Sequence, residues 1–379
     1  MAHVTVPILL DAVQCISDKI DKAVTTLPIY PLAYTSYDGD GRPIHNTDNL
    51  AIRCFFSDLD PLGYKPEDHS KVWRYTRMVQ DQGDPSWTEE IEPYIIFGSG
   101  DTLTVECDTE PTQTLTPYKG KFYVNLLTPG KVYRWTMKQS GKVIQTGEFR
   151  TVGTVRWIGT KYPHNFRDIG GFGLNYERVY RSMNFAKIEV DSDDHRIIRD
   201  HLNITVQLNL TGANDSLSPS RTDIFDRCYN YNIPAYAALL TASAENKGKF
   251  KSAFEVLVAE LQSGHNVVFN CWQGADRTGT FDWFLHAICG VPLGYCEGLW
   301  ELTGFVRDIN SKIWDWEEES GGGMRTFMSK LIAKYVADKT VTDKTYDSYK
   351  LAYYLATKVI GIKDQTIADF RTIMLTPVQ

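Results

Sequence analysis

The chain has 379 residues, more than one domain usually holds, and two domains are the natural expectation. With 42% hydrophobic and 23% charged residues it can bury a full core, while a formal net charge of −7 leaves no basic footprint for nucleic acid. The seven cysteines (Cys15, Cys54, Cys107, Cys228, Cys271, Cys289, Cys296) are odd in number and include no CxxC pair, which argues against a disulfide framework and a zinc site.

The start, MAHVTVPILLDAVQC, lacks the basic residues of a secretory signal. No apolar run reaches the roughly eighteen residues that a membrane span requires. A reducing, cytoplasmic setting is the expectation. From Leu9 the apolar residues Leu9, Val13, Ile16, Ile20 and Val24 recur every three or four positions, predicting an amphipathic helix within residues 1–29. Its stripe would pack on its own domain or dock on another protein; the polar face is not basic, so a membrane surface is a poor match.

Residues 30–152 change to short β-rich pieces: Ala51 to Phe56, Val72 to Met78, Thr102 to Cys107, Lys121 to Leu126, Val132 to Met137 and Val143 to Arg150. Turn residues separate them, as in Thr128-Pro-Gly-Lys131 and Gln139-Ser-Gly-Lys142, which predicts a β-sandwich. The run from Leu127 to Met137, followed by Gly147-Glu-Phe-Arg-Thr151, resembles the last strands of a fibronectin type III domain.

Residues 153–379 alternate helix and strand, the pattern of an α/β fold around a central, mostly parallel sheet flanked by helices. Thr205 to Leu210 and Val267 to Phe269 read as strands. Lys249 to Gln262, Gly279 to Cys289, Arg325 to Ala337 and Ser348 to Val359 read as helices. Between the strand ending at Phe269 and the helix from Gly279 lies Cys271-Trp-Gln-Gly-Ala-Asp-Arg277, then Thr278. A cysteine six positions before an arginine, across a strand-to-helix turn, suits a thiolate phosphatase. The backbone amides of Trp272, Gln273, Gly274, Ala275, Asp276 and Arg277 can ring a tetrahedral oxyanion, and the helix N-terminus adds favourable partial charge. Arg277 can grip two oxygens at once, and the attacking species is the thiolate. Gly274 permits the tight curl. A nucleotide P-loop is excluded, because Thr280 stands where that motif requires lysine.

His164-Asn-Phe-Arg-Asp-Ile-Gly-Gly171, Val179-Tyr-Arg-Ser182, the Cys271 loop and Glu301-Leu-Thr-Gly-Phe305 follow one another in the order found in bacterial protein-tyrosine phosphatases. The chain resembles the branch with an aspartate-arginine-threonine-glycine loop, some members of which place a fibronectin-like domain ahead of the catalytic one. The resemblance implies a metal-independent hydrolase without cofactor, acting on a phosphorylated protein or a small phosphate ester through a cysteinyl-phosphate. Cys271 would be the nucleophile, Arg277 the phosphate clamp, Thr278 the hydroxyl that assists the departing thiolate, and Asp276 the proton donor. Asp223 and Asp226 are the fallback acids, and Arg167 and Asp168 would brace the loop.

Two positions depart from that pattern. Asn270 replaces the histidine that precedes the cysteine, which predicts slower turnover near neutral pH. Ala275 replaces a lysine suited to phosphoinositides, which favours phosphotyrosine or another monoester. A second reading stays open: a weak or inactive relative, acting as a binding or structural component of a larger assembly such as a phage virion, through the N-terminal helix and the β domain.

Overall fold

The computed structural model describes residues 100–376 apart from 119, 121, 125, 152–154, 213–214 and 306–322, with the backbone of a few short strands between 28 and 97. The helix expected over Leu9 to Val24 and the strands over Ala51 to Phe56 and Val72 to Met78 lie outside the described residues.

The β-rich part contains strands β1 (Thr102–Cys107), β2 (Glu110–Leu115), β3 (Phe122–Val124), β4 (Val132–Gln139) and β5 (Lys142–Thr151). The β4–β5 hairpin turns at Ser140 and Gly141, both at positive φ, the geometry of a two-residue turn matched to strand twist. Its register sets Trp135 opposite Gly147, where any Cβ would fall 2.7 Å from the indole. One sheet takes the order β5-β4-β1-β2, with Pro28–Ile29 pairing in parallel on the outer edge of β5. The ribbon of Ile95–Phe97 with β3 contributes Phe122 and Val124 to a core shared with Leu103, Val105, Tyr133, Trp135 and Met137. Among the described residues, this sheet and its ribbon stand in place of the complete β-sandwich expected from the sequence.

The second part is α/β. Its sheet comprises β6 (Arg156–Trp157), β7 (Arg167–Asp168), β8 (Val179–Ser182), β9 (Ile204–Asn209), β10 (Arg227–Asn230) and β11 (Asn266–Asn270), in the order β6-β7-β8-β11-β9-β10. The four strands from β8 to β10 run parallel, whereas the two-residue strands β6 and β7 are antiparallel, so the sheet is mixed. Side chains of β11 alternate between faces as a strand requires. Val267 and Phe269 join the larger core with the helices, while Val268 joins Phe166, Tyr180, Phe185 and Phe225 on the opposite face.

Helix α1 (Ala244–Gln262) starts where Ser243 accepts from the Asn246 N–H at 3.2 Å, a side-chain cap. It buries Phe250, Phe254, Leu257 and Leu261, spaced to form one face. Phe250 and Phe254 meet Phe281 and Phe284 of α2 (Asp276–Ile288) edge-on, with centroids about 5 Å apart. Helices α3 (Leu293–Glu301), α4 (Met324–Ala337), α5 (Ser348–Tyr354) and α6 (Asp364–Leu375) complete the layer. The helix expected to run on to Val359 instead widens into a π turn over Leu355–Ile360, ended by Gly361 at φ 84°. Among the described residues no helix is long and apolar enough to cross a membrane.

The two parts meet over a charged, buried seam. Lys131 lies 2.9 Å from both Glu110 and Glu177. Arg156, almost wholly buried, reaches Asp168 at 3.2 Å, Glu177 at 3.5 Å and the Leu126 carbonyl at 3.1 Å. Leu126 itself packs in the cluster of Phe166 and Tyr180. Burial pushes the Glu110 carboxyl up, but the Arg156 and Lys131 charges outweigh it and hold it at about 2. Nearby His201 is pushed down to about 4 by burial and by the Arg156 charge.

Candidate active site

In-register pairing sets Ser182, Asn209 and Asn270 side by side at the carboxyl edge of the sheet. Cys271 follows at once, almost fully buried. Ligands in open α/β sheets bind beyond this edge.

The loop after Cys271 is held by its carbonyl groups. The Trp272 carbonyl accepts from both the main-chain N–H and the side-chain amide of Asn184, at 3.1 and 2.7 Å. The Gly274 carbonyl accepts from Asn165 Nδ2 at 2.9 Å and from the Arg181 guanidinium. A trans peptide points its N–H opposite to its C=O. The N–H groups of Gln273 and Ala275, which share planes with those carbonyls, therefore face away from Asn184, Asn165 and Arg181. Among the described residues, no protein acceptor takes an N–H from residues 272 to 277. Ala275, the N-cap of α2, supplies no side-chain cap either. A helix start whose amides are unspent is a ready anion site.

Gly274 makes the curl possible. Its φ is 67°, and a Cβ there would fall 2.7 Å from the main chain of Ser182 and Met183. Behind it, Arg181 donates to Asp282 at 2.6 Å. His286, one turn further along α2, lies 3.3 Å from the same carboxylate, and its Nε2 meets the Ile169 carbonyl at 3.0 Å. Burial pushes the Asp282 carboxyl up, but the Arg181 charge, with His286 behind it, outweighs burial and holds it well below the usual carboxylate range. Arg167 donates to Asn165 Oδ1 at 3.0 Å and to the Leu299 carbonyl at 2.8 Å, with Trp157 beneath its guanidinium. Asp168 accepts from the N–H groups of Gly170 and Glu177, both at 2.8 Å.

The remaining residues singled out from the sequence fall as follows. Asp276 is exposed in the first turn of α2 and Arg277 is half-buried, neither with a side-chain partner among the described residues. Thr278 is fully buried and its hydroxyl has no partner among the described residues. Asn270 is turned into the sheet: its Oδ1 accepts from Gln207 at 2.9 Å and its Nδ2 donates to the Ser218 hydroxyl at 3.2 Å. Asp223 is engaged by Arg221 at 2.7 Å, and Asp226 by Arg199 at 2.9 Å. Asp226 directly precedes β10, so the strand's length separates it from the carboxyl edge where Cys271 sits. Among the described residues no three His, Cys, Asp or Glu side chains converge into a metal-binding group.

The family model described as the tyrosine phosphatase family matches residues 158–376, which takes in the loop, strands β7 to β11 and helices α1 to α6. The chain belongs to the tyrosine phosphatase family. No curated protein matches it. Within this phosphatase fold the loop is built by residues that sequence reasoning left without a role: Asn165, Arg181, Asn184 and Asp282. A signal for one pair was present, since Asp282 and His286 stand four apart in a helix among the apolar residues Phe281, Trp283, Phe284 and Leu285. Their spacing puts them on one face, and buried polar groups of that kind have partners.

Proposed function

We infer that the Cys271 loop takes the phosphoryl group of a monoester onto the cysteine sulfur, which makes the protein a cysteine-dependent phosphatase acting on phosphotyrosine or a similar ester. The observation that carries this reading is the run of unspent amides from 272 to 277 beside a half-buried Arg277 that no carboxylate among the described residues neutralises. A dianionic phosphate would satisfy amides and guanidinium together.

In the first step the Cys271 thiolate attacks phosphorus, the bond to the ester oxygen breaks, and Asp276 gives that oxygen a proton. In the second, water attacks the cysteinyl-phosphate, its proton passes to Asp276, and the sulfur leaves as thiolate. The buried Thr278 hydroxyl stabilises that departing sulfur. Asn270, committed to Gln207 and Ser218, holds the end of β11 through neutral hydrogen bonds. Arg167 and Asp168 act as braces. The sheet over residues 102–151 is read as the end of a fibronectin type III-like module that presents the phosphatase to a protein partner.

The test is hydrolysis of a generic aryl phosphate, with EDTA present, by wild type and Cys271→Ser. EDTA-resistant turnover that the substitution reduces at least about a thousandfold is expected. Equal inertness of the two proteins would put the phosphate-binding or structural reading first.

A further inference from the structure

One exposed apolar residue directly follows Cys271, and another adjoins a serine bonded to Asn270, the residue before it. Trp272 is 45% exposed and makes no ring contact among the described residues. Its main chain is fixed by the paired hydrogen bonds from Asn184. Leu217 is 54% exposed. Its neighbour Ser218 is fully buried, accepting at its hydroxyl from Asn270 at 3.2 Å and at its carbonyl from Asn209 at 2.6 Å. One residue step is about 3.8 Å, so Leu217 sits over the same carboxyl edge as the cysteine. Scattered apolar residues on a surface are ordinary. Here the main chain of Trp272 is fixed by Asn184, and the serine next to Leu217 is bonded to Asn270, so both residues are held beside the nucleophile.

We propose that Trp272 and Leu217 are specificity-determining residues that form an apolar rim for the aromatic group carrying the phosphate; this rests on the phosphatase reading above. The loop amides and Arg277 treat every phosphate monoester alike, because they meet only phosphate oxygens. Discrimination between an aryl and an alkyl ester must come from whatever touches the organic group. An indole face and a leucine beside the loop reward an aromatic ring by stacking and by removing apolar surface from water.

Binding of two non-hydrolysable phosphonates tests this without requiring turnover. Wild type is expected to bind naphthylmethylphosphonate at least about tenfold more tightly than methylphosphonate. Leu217→Ala and Trp272→Ala should each cut that ratio about threefold or more, and the double variant should bring it near one. Trp272→Phe should retain most of it. A wild type that binds both phosphonates equally, or variants that keep the ratio, would overturn the rim while leaving the phosphate loop standing. If the wild type binds neither phosphonate nor inorganic phosphate, the phosphatase reading fails and takes the rim with it. Should Trp272→Ala fail to fold, Leu217→Ala and Trp272→Phe decide the matter.

Discussion

Asn165 and Gly274 lie 109 residues apart in the chain and are joined by a 2.9 Å hydrogen bond from the asparagine amide to the glycine carbonyl. Arg181 donates to the same oxygen. One carbonyl thus carries two donors from outside the loop, and that double capture turns the neighbouring amide the other way.

Removing the charge behind that capture should be costly. Arg181→Met leaves Asp282 buried without its cation, and breaking such a pair costs about 3–5 kcal/mol. A urea titration should show the unfolding free energy falling by that amount, with the midpoint lowered in proportion. Asp282→Asn should cost less, because the asparagine still accepts from Arg181.

Gly274→Ala meets two obstacles at once, a φ of 67° and main-chain atoms 2.7 Å from the new Cβ. The loop must shift, so phosphate affinity should fall at least about tenfold, with a stability loss of about 1–3 kcal/mol. Calorimetric titration with inorganic phosphate measures the first, and thermal unfolding the second.

Thr278→Val separates stability from turnover. The hydroxyl it removes is buried and unpartnered, so stability should stay within about 1 kcal/mol of wild type or rise. Breakdown of the cysteinyl-phosphate should slow by about ten- to a hundredfold, by analogy with removing one transition-state donor. Pre-steady-state kinetics should then show a burst of leaving group followed by slow turnover.

Acid should loosen the seam between the two parts. His201 is held at about 4, below its ordinary 6.5. The unfolded chain therefore binds its proton first, and stability present above pH 6.5 declines as pH falls toward 4. Glu110, held at about 2 against an ordinary 4.5, extends the loss below pH 4.5. Unfolding followed from pH 8 to 2 should show stability declining below 6.5 and again below 4.5. His201→Gln should flatten the upper window, and Glu110→Gln the lower.

A chain that begins at residue 153 would lack Leu126, Thr128 and Lys131, leaving Glu177 without two of its partners and Phe166 with a gap beside it. Such a truncation should unfold at lower temperature than the full chain, and a fluorescence melt of both would show it.

Much of this fold was legible where a pattern is local. Val267 to Phe269 is a short apolar run ahead of turn residues, and it is a strand. Gln139-Ser-Gly-Lys142 turns where a serine and a glycine can take positive φ. The strand Glu110–Leu115 was not legible, because its Glu-Pro-Thr-Gln-Thr sequence has little strand preference and forms by pairing with Thr102–Cys107. The two-residue strands at Arg156 and Arg167 are likewise set by their neighbours. At the site, the loop residues stood out by spacing, whereas Arg181 and Asn184 meet them only after about ninety residues of chain have folded back.

That long-range capture has a consequence for engineering. Residues 270–279 moved alone into a foreign scaffold would carry the sulfur and the guanidinium but nothing to tether the Trp272 and Gly274 oxygens. Their peptide planes would be free to rotate, and the graft would lose its grip on an oxyanion. The shape of the loop belongs to the closed fold, and a half-folded intermediate of this chain would hold Cys271 and Arg277 without the ring of oriented amides between them.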